Sequence, residues 1–134
     1  MDIDYALISD YAEITNGKLY LMGGGWDQYR LAEAPGQLRL AVAVGVRVGW
    51  EETNREVPVV ITVEDDDGQT LVRIEGAVNV GRPPALPPGA TQLAQLAANV
   101  TVNVQAYGGF RVAITAGAGE GMCAHNLPFR VVRP

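Results

Sequence analysis

A nucleophile needs a base, and this chain offers one serine and one histidine, Ser9 and His125. A Ser9–His125 pair would need the hydroxyl exposed at a strand edge. No Gly-x-Ser-x-Gly elbow surrounds Ser9 to hold it there. Cys123 and His125 stand two apart and could form a soft metal pair. A zinc site takes four ligands, usually including a second close pair, and none exists. The expected reading is a small apolar thiol beside a loop imidazole, with no metal and no cofactor. Asp65-Asp66-Asp67-Gly68 superficially resembles calcium ligands. Its glycine is misplaced for an EF-hand, whereas Asp and Gly are what a tight turn requires. Gly23-Gly24-Gly25 lacks the Lys-Ser/Thr and the following helix of a phosphate loop. It reads instead as a bend that re-aims Trp26.

Two sets of residues could still bind a ligand. Trp26, Tyr29, Trp50 and Tyr107 could make an aromatic platform for a sugar or a peptide, although such rings more often close a core. Trp50-Glu51-Glu52-Thr53-Asn54-Arg55 is the densest polar segment, and loops of this kind carry function. The adjacent carboxylates Glu51/Glu52 and Glu64/Asp65 are not a catalytic dyad, because neighbours on a strand point to opposite faces. Candidate ligand contacts are therefore Trp26, Trp50, Glu52, Asn54, Arg55 and Arg82. No catalytic residue is assigned. Arg82 is expected to order the Trp50–Arg55 loop by presenting its fork of donors to Glu52 or to backbone carbonyls.

The elements that position these residues read as strands. Ala6 to Ile14 alternates and ends at Asn16-Gly17, the strongest short hairpin signal. Lys18 to Met22 returns, and Trp26 to Leu31 makes a short edge strand. Leu38, Leu40, Val42, Val44, Val46 and Val48 form an unbroken apolar row. The opposite row holds Arg39, Ala41, Ala43, Gly45 and Arg47, small in its middle. Val57–Val63 and Val72–Val80 flank the Asp turn as a hairpin. The proline-rich 82–89 stretch cannot donate to a ladder and must cross between sheets. Residues 91–94 allow at most a helical turn, and strand runs from Gln95 to Val104. Gly108-Gly109 then reads as a hairpin turn into Phe110, and Leu127–Val132 is the last strand. The expected core is Leu40, Val42, Val44, Val59, Ile61, Ile74, Val78, Val102, Val112 and Ile114.

The fold class is all-β: one domain over 1–134, an antiparallel two-sheet sandwich of immunoglobulin-like or Greek-key type with about eight strands. Apolar residues make up 48% of the chain and charged residues only 19%, with a net charge of −5. An acidic chain without a basic run argues against nucleic acid and against an anionic membrane surface. A single cysteine excludes an internal disulfide, and no signal segment or long apolar run is present. The expected compartment is the cytoplasm, with a mature secreted chain stripped of its signal as the alternative.

Three segments, taken in order with Asp10-Tyr11-Ala12, carry a likeness. They are Gly23-Gly24-Gly25-Trp26-Asp27, Trp50-Glu51-Glu52-Thr53-Asn54-Arg55, and Glu75-Gly76 followed by Val80-Gly81-Arg82-Pro83-Pro84. Together they resemble an uncharacterised bacterial family, a domain of unknown function, across essentially the whole chain. One departure is Glu56, near a position where relatives carry histidine. The resemblance implies a stand-alone all-β protein and transfers no activity. The functional expectation is a non-enzymatic binding or assembly module. The alternative is a small-ligand or carbohydrate binder, or an enzyme, at the Trp50–Arg55 loop. The small middle of the Leu38–Val48 strand needs cover, either from a loop or from a second copy in a homodimer. Another protein is the remaining candidate partner.

Overall fold

The structure is a computed structural model that describes residues 1–134. Nine strands form two sheets, one more strand than the alternation suggests. They are β1 (Asp2–Thr15), β2 (Lys18–Gly24), β3 (Gln28–Arg30), β4 (Gly36–Val48), β5 (Val57–Asp65), β6 (Thr70–Val78), β7 (Gln92–Val104), β8 (Gly108–Ala116) and β9 (Cys123–Val132). One sheet runs β2-β1-β4-β7, the other β3-β9-β8-β5-β6. No helix is long and apolar enough to cross a membrane.

The core lies where the alternation put it. Leu40, Val42, Val44, Val59, Ile61, Val78, Val102, Val112 and Ile114 are buried between the sheets, while Ile74 is half-buried against them. Two of the expected hairpins form as read. Asn16 and Gly17 take positive φ, 53° and 74°, and join β1 to β2. The Asp65 side chain accepts the backbone N–H groups of Asp67 and Gln69 at 3.0 and 2.9 Å, which closes the β5–β6 turn. Both are the local chemistry of turns.

Four expectations need correction. Gly108-Gly109 is not a hairpin turn, because β7 and β8 belong to different sheets. Alternation reports which residues are apolar on one face but not which sheet they join. The sheets are not wholly antiparallel: β3 pairs parallel with β9, through Gln28–Arg30 against Arg130–Val132. A three-residue edge strand entering from a bend has no hairpin to fix its direction. The 91–98 segment is extended from Gln92, without a helical turn, because every residue from Gln92 to Val104 has a β4 partner. Pairing overrides the weak local helical signal there. The first and last strands also start earlier than read, at Asp2 and Cys123.

The small row of β4 is covered, and the cover is neither the proline loop nor a second copy. β1 pairs with β4 only as far as Ser9↔Ala41. Beyond that point β1 and β2 leave the sheet edge as a two-stranded arm. The arm lies across the outer face, so that Ala12 packs on Ala41 and Ala43 with Leu19, Leu21 and Ala97 around them. Ala12, Ala41 and Ala43 are completely buried. Small side chains are needed because two layers of backbone meet there. Tyr5 lies over Gly45 in the same layer, where a Cβ on Gly45 would strike its ring. The Tyr5 hydroxyl donates to Gln95. Burial, with the Asp4 carboxylate second, pushes its phenol above the ordinary range.

Two polar residues on the outer row of β7 seat the arm. Asn99 accepts the N–H of Ala12 at 3.2 Å and donates to its carbonyl at 2.8 Å. Its side-chain amide thus replaces the neighbouring strand that β1 has left. Gln95 donates to the carbonyl of Gly17 at 2.8 Å, holding the arm's tip. Asn99→Ala strands both backbone groups of a buried residue, and each costs about 1–3 kcal/mol when unpaired. The expected loss of stability is therefore about 2–4 kcal/mol by urea unfolding. Asn99→Asp, which can accept but not donate, should fall between that variant and the wild type. An unchanged urea midpoint for the alanine variant would show that the arm seats itself by packing alone.

Candidate functional site

The polar segment after β4 folds as a short 3-10 turn, Trp50–Glu52. β4 ends on Val48, and Gly49 turns the chain out of the sheet. The Glu52 carboxylate accepts the N–H of Gly49 at 2.9 Å, so it caps the turn it belongs to. Thr53 is buried, and its hydroxyl donates back to the carbonyl of Trp50 at 2.9 Å. Asn54 takes a positive φ of 60°, and its N–H donates to the carbonyl of Val80 at 2.8 Å. That bond ties the turn to the start of the proline-rich crossing.

Arg82 closes the arrangement from the crossing side. Its Nε donates to Thr53 Oγ1 and its Nη2 to the carbonyl of Trp50, each at 2.7 Å. Its guanidinium carbon sits 4.1 Å from the centre of the Trp50 ring. Gln92 adds a bond from its side chain to the carbonyl of Gly81 at 2.7 Å. The planar fork therefore stacks on an aromatic face and grips two oxygens at once, which a lysine cannot do. Of the two partner classes expected for Arg82, the backbone carbonyl is realised and Glu52 is not.

The structure brings Trp50, Glu52, Asn54 and Arg82 together. Arg82 is engaged by Thr53 and the Trp50 carbonyl, and Glu52 by the Gly49 N–H and the N-terminal ammonium. Asn54 is held through its backbone N–H and is exposed. Arg55 is exposed and belongs to a cleft of about 260 Å³ with Glu52, Glu56 and Pro58. Trp26 is not part of this group. Its ring packs edge-on to Phe129 at 6.2 Å and against Tyr29 at 5.7 Å, with its buried Nε1 unpartnered. Tyr107 is separate again, donating to the carbonyl of Leu31 at 3.0 Å beneath Arg133. The four aromatics make no common platform. Thr53 is the residue that sequence reasoning missed. Its signal was a hydroxyl within the polar motif, but only the fold shows it serving as acceptor and donor at once.

The remaining chemistry-bearing residues are dispersed. Ser9 is buried with its hydroxyl on the carbonyl of Tyr11 at 3.1 Å. The Cys123 thiol donates to the carbonyl of Ala116, and His125 is exposed on the same strand. On the outer face of the second sheet, Glu64 accepts from the Thr62 hydroxyl at 2.9 Å. It also accepts from Arg111 Nε and Nη2, at 2.9 and 2.6 Å. Thr62 first and Arg111 second hold the Glu64 carboxyl below its ordinary range.

The fold and this turn define a small two-sheet β-protein whose densest polar segment is tied down by one arginine. The chain belongs to DUF6941, a family of unknown function, whose model matches residues 4–132. No curated protein matches it. Among solved structures, a family 123 glycoside hydrolase from Clostridium perfringens is similar at a TM-score of 0.41 and 11% identity. That likeness covers 97% of this chain but only 27% of the hydrolase. A structural-genomics target, SoR45, is similar at 0.33 and 15% identity, over 81% of this chain and 83% of that one.

Two outcomes are expected. In a double-mutant cycle, Arg82→Ala and Thr53→Val should couple by about 1 kcal/mol, and Arg82→Lys should not restore the stability lost. Strict additivity would separate the turn from the crossing. For Glu64, the folded carboxyl is the more acidic, so its ionised form favours the fold. That contribution is complete above the ordinary glutamate value of about 4.3 and is lost as pH falls through the lower folded value. Glu64→Gln should flatten the acid limb of the stability–pH curve. Parallel acid limbs for variant and wild type would remove the assignment.

Proposed function

We propose that this protein is a non-enzymatic binding and assembly module that takes up another polypeptide by strand addition at the free edge of β7. The observation that carries the reading is the chemistry of that edge. β7 has a neighbour, β4, on one side only. No turn, loop or side chain donates to or accepts from its main chain on the other side. Its thirteen residues include no charge, no proline and no glycine, and its register with β4 has no bulge. Natural sheets use those devices to keep edges from pairing.

The other three edges carry them. β2 has seven residues, with Lys18 at one end and Gly23 at a φ of 62° near the other. β3 has three residues including Arg30. β6 presents the exposed Arg73–Glu75 pair and faces a register shift at Val63/Glu64. An extended partner at β7 would gain main-chain bonds along the whole edge. The lone Cys123, a free thiol, is compatible with a reducing setting and supports a cytoplasmic location.

The competing reading, a small ligand or sugar at the Trp50–Arg55 loop, would rest on Trp50, Asn54 and the exposed Arg55, because Arg82 and Thr53 are engaged within the fold. One experiment addresses both. A synthetic peptide of residues 92–104 should slow amide exchange in β7 of the intact protein and raise its melting temperature, because ligands of the native state stabilise it. If the peptide leaves β7 exchange unchanged, the assembly reading fails; a sugar, nucleotide or metal ion that stabilises the fold and protects the Trp50–Arg55 turn would then support the competing one.

A further inference from the structure

The β7 edge has a natural occupant of its own composition, and we infer that it is a second copy of this chain, paired antiparallel about a two-fold axis at Ala98. The inference rests on the assembly reading and names its partner. An antiparallel pair centred on Ala98 is the register that engages all of Gln92–Val104, opposing Gln92 to Val104 and Ala98 to itself. It joins the two four-stranded sheets into one of eight strands. The axis is perpendicular to the sheet, so core-facing rows meet core-facing rows.

The side chains suit that register. On the core side Leu96 meets the other copy's Val100, and Ala94 meets Val102. Leu96, Ala98 and Val100 are only half-buried in one copy, because the open flank between β7 and β6 leaves them near water. Pairing covers them. On the outer side Leu93 meets Asn103, Gln95 meets Thr101, and Ala97 meets Asn99. With no ionised group on β7, this register opposes no like charges across the ladder, which is what ordinarily forbids self-pairing of an edge. Asn99 and Gln95 already face the arm, so the outer row is held straight before any partner arrives.

Magnitudes set the strength. A thirteen-residue strand is about 44 Å long, and an edge about 10 Å thick buries roughly 900 Å² over two copies. That lies below the usual range of stable interfaces, about 1,200–2,000 Å². The dimer should therefore be a weak one that dissociates at micromolar concentrations and below. Each copy carries a net charge of −5, so screening by salt should favour association.

Sedimentation or light scattering of the intact protein, from about 10 μM to about 1 mM, a range set by that weak interface, should show the mass rising from 14.3 kDa toward twice that value. Leu93→Lys with Thr101→Lys places two cations on the outer row of the edge. Both side chains are exposed and make no hydrogen bond, so folding should be unchanged and association weakened at least about tenfold. Nitroxides at Thr101→Cys, in a Cys123→Ser background, should lie about 20 Å apart. Thr101 faces the other copy's Gln95, six residues from the partner label. A mass fixed at 14.3 kDa overturns the inference. So does a dimer insensitive to the lysines or lacking that distance. If the 92–104 peptide still protects β7 in a monomeric chain, only the choice of partner has failed. If it does not, the assembly reading fails as well.

Discussion

A single side-chain amide, Asn99, does the work of a missing strand. β1 must be an edge neighbour of β4 in its first half and a covering layer in its second. At the bend its backbone loses the partner that β4 supplied. The N–H and carbonyl of Ala12 would then be buried without hydrogen bonds, each at a cost comparable to a whole lost interaction. Asn99 offers one acceptor and one donor in the geometry of a peptide group and satisfies both. Because that clamp lies on β7, the arm closes over Ala41 and Ala43. The small middle of β4 follows from this constraint, since a larger side chain would lift the arm away. Gly45 obeys the same rule under the Tyr5 ring.

The polar loop spends much of its chemistry on holding its own fold. Trp, two carboxylates, a hydroxyl, an amide and an arginine within one short motif look like ligand chemistry. In the fold Glu52 caps its own turn, and Thr53 and Arg82 bond to each other and to the Trp50 carbonyl, while Glu51 and Asn54 are exposed. The chain leaves one sheet at Gly49 and returns to it past the prolines, and these two crossings have no ladder to fasten them. Arg82 fastens them through a carbonyl, a hydroxyl and an indole face together. The two segments that include Trp50 and Arg82 thereby acquire a physical role at the sheet crossing.

Covering the outer face of one sheet leaves that sheet with an unprotected edge. The arm occupies the β1 side and the face, and nothing hydrogen-bonds to the main chain of β7 on its far side. The second sheet differs: its outer face is dressed with Glu64, Arg111, Arg73 and Glu75, and its edges are short or charged. The scarcity of charge in this chain is thus not uniform. It is concentrated along the one strand whose main chain is free to pair.

The sequence by itself determined the class of fold, the core residues and the local turns. Those depend on period-two burial and on positive-φ residues such as Asn16 and Gly17, which act over a few neighbours. The tertiary structure alone decided which sheet each strand joins, the parallel entry of β3, and the change of sheet at residues 105–107, which makes Gly108-Gly109 the start of β8. It also decided that the apolar outer row of β4 lies beneath the protein's own arm. Of the candidate site, the association of Trp50 with Arg82 was legible in part, because an arginine beside a polar turn has predictable partners. The roles of Thr53 and Asn99 were not. Their bonds join residues 29 and 87 positions apart, and a polar side chain shows in sequence only that it will bond, not to what. Alternation records a side chain's face, whereas pairing and layering depend on main-chain bonds between segments far apart in the chain.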